Sequence, residues 1–194
     1  MFIKNLTLQN FKNHSSRFIE FSPQINCLVG DNGVGKTNIL DALHYLSVGK
    51  SFLGNSDLNN ITENEDFFSI EALISNENKE DIVRIIQNKE SRKTIKKNDK
   101  NYSKIADHIG YLPSVMISPY DQNLISDSSE SRRKFMDAMI SQTDREYLFS
   151  LIHYQKTLQQ RNALLKNFQK SRTFDADSLE IYDEPVSYTH LRAH

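Results

Sequence analysis

The 194-residue chain has one cysteine, no tryptophan, six glycines and four prolines, and its formal net charge is −1, from 24 Lys and Arg against 25 Asp and Glu. Each scarcity excludes something. A single thiol, Cys27, leaves no internal disulfide framework and no multi-cysteine zinc site, and it suits a reducing compartment, so a cytoplasmic location is expected. The charge balance gives no global electrostatic case for nucleic acid or an anionic membrane, so any such surface must be local. No apolar run approaches the ~20 residues of a membrane helix, and Met1-Phe2-Ile3-Lys4-Asn5 lacks the continuous apolar core of a signal peptide. With 38% hydrophobic and 25% charged residues, what is present is ordinary globular composition.

Along the chain, short strand patterns come first. Phe2 to Leu8 and Arg17 to Phe21 carry apolar residues at short spacing around a turn at Asn13-His14-Ser15-Ser16, which reads as a hairpin. A third apolar run, Ile25-Asn26-Cys27-Leu28-Val29, reads as a strand ending at Gly30, with Cys27 expected as a small buried hydrophobe. Thr37 to Val48 then places Ile39, Leu43 and Leu46 on one face of an amphipathic helix. The middle is β-rich, with strands over Phe67 to Ile74 and Asp81 to Ile86 and a hairpin turn at Asn98-Asp99-Lys100. Beyond Pro119, Ser128 or Ser129 caps a helix running to about Ile140, and a second helix starts near Asp144. There Tyr147, Leu151, Tyr154, Leu158, Leu165 and Phe168 follow a 4,3 alternation interrupted by Arg161. A helix from 144 to 170 would be about 40 Å long, the length of an arm. The expected division is a head over 1–125, a helical arm over 126–172 and an unstructured tail over 173–194. The end of that tail, Pro185 to His194, resembles a translated sequencing-adapter read-through, so it is expected to be non-native, with the natural protein continuing past about residue 184.

One motif carries chemistry. Gly30-Asp31-Asn32-Gly33-Val34-Gly35-Lys36-Thr37 matches G-x-x-x-x-G-K-[ST] in full, between an apolar run and an amphipathic helix. Glycines let backbone N–H groups turn inward around phosphates with no Cβ in the way, and the following helix aims its N-terminal dipole at the same anion. Lys36 is placed to reach the β and γ phosphates, and the Thr37 hydroxyl to coordinate Mg²⁺. All eight residues are therefore candidate nucleotide contacts. Three further matches carry no function: Asp107-His108-Ile109-Gly110 as a GTPase switch, Leu46 to Lys50 as an ABC signature, and Val115-Met116-Ile117 before Asp121 as a Walker B strand.

A local basic cluster offsets the balanced total. Arg84, Lys89, Arg92, Lys93, Lys96, Lys97, Lys100 and Lys104 have Glu90 and Asp99 as their counter-charges within that stretch. Arg92, Lys93, Lys96 and Lys97 are its candidate DNA contacts, through sequence-independent phosphate neutralisation; the competing reading is a solvated hairpin.

Five segments in order and spacing carry a family resemblance. They are Leu8 to His14, Gly30 to Asp41, Gly49-Lys50-Ser51-Phe52, Ser131 to Asp137 and Gln160 to Lys166, and together over about residues 1–170 they resemble the start of the RecF family of bacterial recombination mediators. The resemblance implies an α/β, SMC-like and ABC-type P-loop ATPase head, partial here, with a β-rich lobe and a helical arm. It implies binding of ATP with Mg²⁺, an ATP-dependent homodimer, and loading at gapped or damaged DNA in replication, repair and the SOS response. Partners would be RecO and RecR type mediators, with no membrane. It also brings Lys12 and Asn13 near the nucleotide. The whole protein would be a weak ATPase, with its signature and Walker B segments in a C-terminal half that this stretch does not contain. At Ser118-Pro119-Tyr120-Asp121-Gln122 the chain departs from the family's Ser-Pro-Glu-Asp-Leu. The alternatives are a self-contained P-loop kinase or GTPase, and a structural SMC-like scaffold that uses ATP as a dimer clamp.

Overall fold

Alternation of apolar and polar residues builds a six-stranded antiparallel sheet in order β2-β1-β3-β4-β5-β6, in a computed structural model that describes residues 1–54, 56–76, 79–122 and 129–190. The strands are β1 (Phe2–Phe11), β2 (His14–Glu20), β3 (Phe67–Asn76), β4 (Lys79–Asn88), β5 (Thr94–Lys97) and β6 (Lys100–Asn101). One face of β3 buries Phe68, Ile70, Ala72 and Ile74, while β4 adds Val83 and Ile85, and β1 adds Leu6, Leu8 and Phe11. Helix α1 (Lys36–Val48) covers that face with Ile39, Ala42, Tyr45 and Leu46. Phe11, Tyr45 and Phe68 meet edge to face at 5.2 to 6.2 Å, the preferred geometry of aromatic rings. Asn98 and Asp99, both left-handed with φ of 47° and 63°, form the two-residue turn joining β5 to β6, as the sequence suggests.

The first hairpin turns earlier than its composition indicates. Pairing continues to Phe11 opposite His14, so Lys12 and Asn13 make the turn. Asn10 and Lys12 flank Phe11 with φ of 52° and 54°, a conformation that costs a non-glycine residue energy and needs support from its surroundings. Segment 60–65 supplies the support. Lys12 N donates to Asn60 O, Thr62 N to Asn10 O, Thr62 Oγ1 to Lys12 O, and Asn10 Nδ2 to Glu65 Oε2.

Three expectations are corrected. Residues 25–29 form no regular element and pair with no strand among the described residues, and Ile25 and Val29 are 85% and 87% exposed. Cys27 is exposed, not buried. Apolar alternation defines a strand's faces but does not supply its neighbours, and here the neighbours are missing from the described chain. Residues 113–118 behave alike, with Val115 and Ile117 65% and 82% exposed. Third, the segment 173–194 is not unstructured, because Ala176–His190 is helical. Asp175 explains its start: its carboxylate accepts hydrogen bonds from Asp177 N, Ser178 N and Ser178 Oγ. Residues 191–194 and Ser128 lie outside the described residues.

Contacts divide the chain into two compact units, Met1–Ile125 and Ser126–His194. The second contains α2 (Ser129–Thr143), α3 (Arg145–Ser171) and α4 (Ala176–His190). Asp144 caps α3 by accepting from Tyr147 N. Its stripe of Leu151, Tyr154, Leu158, Leu165 and Phe168 is half-buried, and Arg161, which breaks the apolar alternation, pairs with Asp183 of α4 at 2.6 Å. The Tyr147 hydroxyl donates to Asp137 of α2, a bond that raises its pKa to about 12. No described helix is long and apolar enough to cross a membrane.

Candidate nucleotide-binding site

The glycine-rich loop ends at the first turn of α1, where Gly35 is the N-cap with φ 93°. Gly33 has φ 87° and open space where a Cβ would stand. Both positions need glycine, for different reasons. At Gly33 the backbone conformation decides. At Gly35 a Cβ would also meet Asn13 Oδ1 and His14 Nε2 at 2.5 Å each. Asp31, Asn32, Gly33, Val34 and Thr37 are exposed, and the Lys36 ammonium donates to Gly30 O at 2.7 Å and Asp31 O at 2.6 Å. A positive charge therefore spans the loop beside the N-terminal dipole of α1, and the Thr37 hydroxyl opens to solvent. An anion is the ligand such a site suits.

The turn between β1 and β2 braces the loop from behind. Asn13 Nδ2 donates to Gly33 O at 3.1 Å, and Asn38 Nδ2 of α1 donates to Asn13 Oδ1 at 2.8 Å. His14, buried, donates from Nε2 to Gly35 O at 3.2 Å; a carbonyl only accepts, which fixes the ring tautomer. Lys12 Nζ lies 2.6 Å from the fully buried carboxylate of Asp41 on α1. Asn13 thus contacts the loop itself, whereas Lys12 reaches α1 at Asp41. His14, Asn38 and Asp41 complete the arrangement without having been assigned a role from sequence. A signal existed, since His14 falls in the segment Leu8 to His14 and Asn38 and Asp41 in Gly30 to Asp41, both part of the family resemblance.

The candidate DNA residues divide. Arg92 is exposed and Lys96 half-buried. Lys93 points inward: its side chain is 9% exposed, and its ammonium donates to Gly49 O (2.5 Å), Asp57 Oδ2 (2.7 Å) and Tyr45 Oη (3.1 Å). Burial, then the bond to Asp57, pushes the Tyr45 phenol far above its usual range. Lys97 pairs with Asp81 at 3.0 Å and lies 3.8 Å from the Tyr111 ring centroid. Bonds from Tyr111, then Lys97 and Asn98, hold Asp81 at about 2.

None of the functionless matches gains a role. His108 is fully buried, donating from Nε2 to Leu46 O at 2.6 Å, so the histidine of that match packs into the core. Leu46 to Lys50 is the end of α1 and the residues after it. Asp121 accepts from Ser118 N within its own turn.

A glycine loop of this pattern closing on a helix N-terminus, over an antiparallel sheet that braces it, defines a P-loop head. A family model described as AAA domain matches residues 5–186, and the chain belongs to that family. Within it the likeness is to RecF. The chain is 49% identical over 188 residues to the DNA replication and repair protein RecF of Flavobacterium johnsoniae, covering 96% of this chain and 52% of that one. To its namesake in Phocaeicola vulgatus it is 43% identical, covering 96% and 50%. A solved structure of the recombination mediator protein RecF-ATP in the RecFOR pathway superposes with TM-score 0.89 at 33% identity, covering 96% of this chain and 50% of that one. A structure from work on ATP-driven dimerization of SMC ATPases, at TM-score 0.59 and 21% identity over 72% of this chain and 99% of its own, shares the fold. The chain matches the amino-terminal half of RecF-type proteins and spans about half the length of these curated relatives.

Proposed function

We propose that the chain is the nucleotide-binding part of a RecF-type protein that binds ATP at Gly30 to Thr37 and acts on DNA in recombinational repair and replication. The observation that carries this reading is the braced loop, with its glycines at positive φ, Lys36 across it and Thr37 open at the N-terminus of α1. The 33% identity to a RecF-ATP structure supports ATP as the ligand. Lys36 would hold the phosphates and the Thr37 hydroxyl would ligate Mg²⁺, whose charge would help neutralise the triphosphate.

The whole protein would dimerise on ATP, work with RecO and RecR type mediators at gapped DNA, and reside in the cytoplasm. Its other half would pair with segments 25–29 and 113–118, covering Ile25, Val29, Val115 and Ile117. On the basic hairpin, Arg92 and Lys96 are the candidates for DNA phosphate contact. A self-contained kinase or GTPase is disfavoured by the relatives' identity. Equilibrium binding of ATP to the full-length protein tests the reading. Lys36→Ala is expected to weaken it at least tenfold, on the order of one charge-assisted contact, and unchanged affinity would overturn the proposal.

A further inference from the structure

His14 opens β2 opposite Phe11 and is 8% exposed. Its Nε2 donates to Gly35 O at 3.2 Å, and the same oxygen accepts from Ile39 N at 3.1 Å, the first bond of α1. The helix therefore satisfies that carbonyl without His14, and what the second donor adds is direction. In a trans, planar peptide the carbonyl oxygen and the next N–H point to opposite sides. Two donors on Gly35 O thus fix the Gly35–Lys36 peptide plane. The Lys36 N–H then faces away from His14, off the N-terminal end of α1, where the first N–H groups have no partner within the helix.

Gly35 is the position in the loop that most needs such a restraint. A side chain is excluded there, because a Cβ would stand 2.5 Å from His14 Nε2, and glycine leaves its flanking peptides free to swing. Asn13 treats Gly33 in the same way: its Nδ2 donates to Gly33 O at 3.1 Å, which turns the Val34 N–H to the opposite side. Two successive residues of the hairpin hold alternate carbonyls of the loop, and the N–H groups turned away from them are the ones presented to an anion.

We propose that His14 is a positioning residue for the phosphate loop: it touches no nucleotide, and its ring N–H holds Gly35 O so that the Lys36 N–H is presented to a phosphate of the nucleoside triphosphate. The proposal rests on the nucleotide reading above. It makes the donor at Nε2, rather than the bulk or charge of the ring, the functional property of residue 14.

The test is affinity of the full-length protein for ATP and, by competition, for inorganic tripolyphosphate, with melting temperature followed in parallel. His14→Met, which keeps much of the volume and loses the donor, is expected to weaken both ligands about fivefold, the worth of one hydrogen bond. His14→Gln, whose amide nitrogen can take the place of Nε2, is expected to stay within about twofold of the parent. In the Gly35→Ala background, where the ring is already displaced, His14→Met is expected to add no loss. Unchanged affinity in His14→Met, an equal loss in His14→Gln, a full loss in the Gly35→Ala background, or a loss for ATP without one for tripolyphosphate would overturn the proposal. If His14→Met does not fold, nitrogen-15 labelling of histidine reads the ring tautomer in the unaltered protein: a proton on Nε2 supports the proposal, and a proton on Nδ1 alone refutes it. Lys36→Ala separates the two levels. Unchanged ATP affinity there sinks the nucleotide reading, whereas a loss of about tenfold beside an unaffected His14→Met sinks this proposal alone.

Discussion

Gly33 and Gly35 have nearly the same backbone angle, φ 87° and 93°, but different surroundings, and that makes them a controlled pair. Alanine at Gly33 meets nothing within 4 Å, so its cost is the left-handed conformation alone, about 1 to 2 kcal/mol. Alanine at Gly35 incurs the same conformational cost and also collides with Asn13 Oδ1 and His14 Nε2 at 2.5 Å. Those two side chains must withdraw, giving up their bonds to Gly33 O and Gly35 O, at about 1 kcal/mol each. If ATP requires the loop as braced, the cost appears in affinity: about tenfold for Gly33→Ala, and a few hundredfold for Gly35→Ala at about 3 to 4 kcal/mol in total. Isothermal titration of the full-length proteins with ATP measures both. A second substitution gives a change of sign to look for. Asn13→Ala alone is expected to weaken binding severalfold by freeing Gly33 O. In the Gly35→Ala background it removes one of the colliding atoms and is expected to restore part of the loss. Equal losses at the two glycines, or an Asn13→Ala effect of the same sign in both backgrounds, would refute the brace.

Two other perturbations follow from buried polar groups. Lys93→Met removes the donor shared by Asp57, Tyr45 Oη and Gly49 O and leaves Asp57 with only the Tyr45 hydroxyl of these as partner; because the Asp57 side chain is one-third exposed the expected loss is about 2 to 3 kcal/mol, below the value for a fully buried pair. Urea denaturation checks it, with a loss under about 0.5 kcal/mol contradicting the burial; the slope of log affinity for DNA against log salt should not move, whereas Arg92→Gln should reduce it by about one if that residue meets a phosphate. His108 is held below its ordinary value of 6.5 by burial, the bond to Leu46 opposing. Its neutral form therefore adds stability that is complete above pH 6.5 and lost as pH falls through the depressed folded value. His108→Gln is expected to flatten that part of a melting-temperature profile, and an identical profile would exclude His108 as the source.

What the sequence discloses and what it withholds divide along a physical line. The loop, α1 and the α3 arm are local: a spacing, a period and a cap at Asp144 determine each of them. Residues 25–29 follow the same local rule and yet form no ladder, because pairing depends on a neighbour elsewhere in the chain. Lys93 looks like its neighbours in any charge count, and its inward direction is set by Asp57 and Tyr45, 36 and 48 residues away. Asp41 sits on a helix and passes for a surface residue until Lys12 and Ser51 arrive from other elements. The helix over 176–190 has no apolar period to announce it; its start is set by Asp175, and Asp183 ties it to Arg161.

The brace and the strand that feeds the loop also have different standing within the head. Asn13, His14 and Lys12 belong to a hairpin whose strands are paired inside a six-stranded sheet, and their partners Asn38 and Asp41 lie on a helix packed against that sheet. The described bonds that brace the loop are therefore made within Met1–Ile125. Segment 25–29, which enters the loop from the other side, has no ladder partner among the described residues and exposes Ile25 and Val29. The brace at Gly33 and Gly35 is thus supplied by the first hairpin, while Lys36 is held by Gly30 O and Asp31 O at the end of the loop that 25–29 enters. A contribution from the rest of a RecF-type protein would then act on the loop through Gly30, at its entrance. The Lys12–Asp41 and His14–Gly35 contacts would hold with or without it.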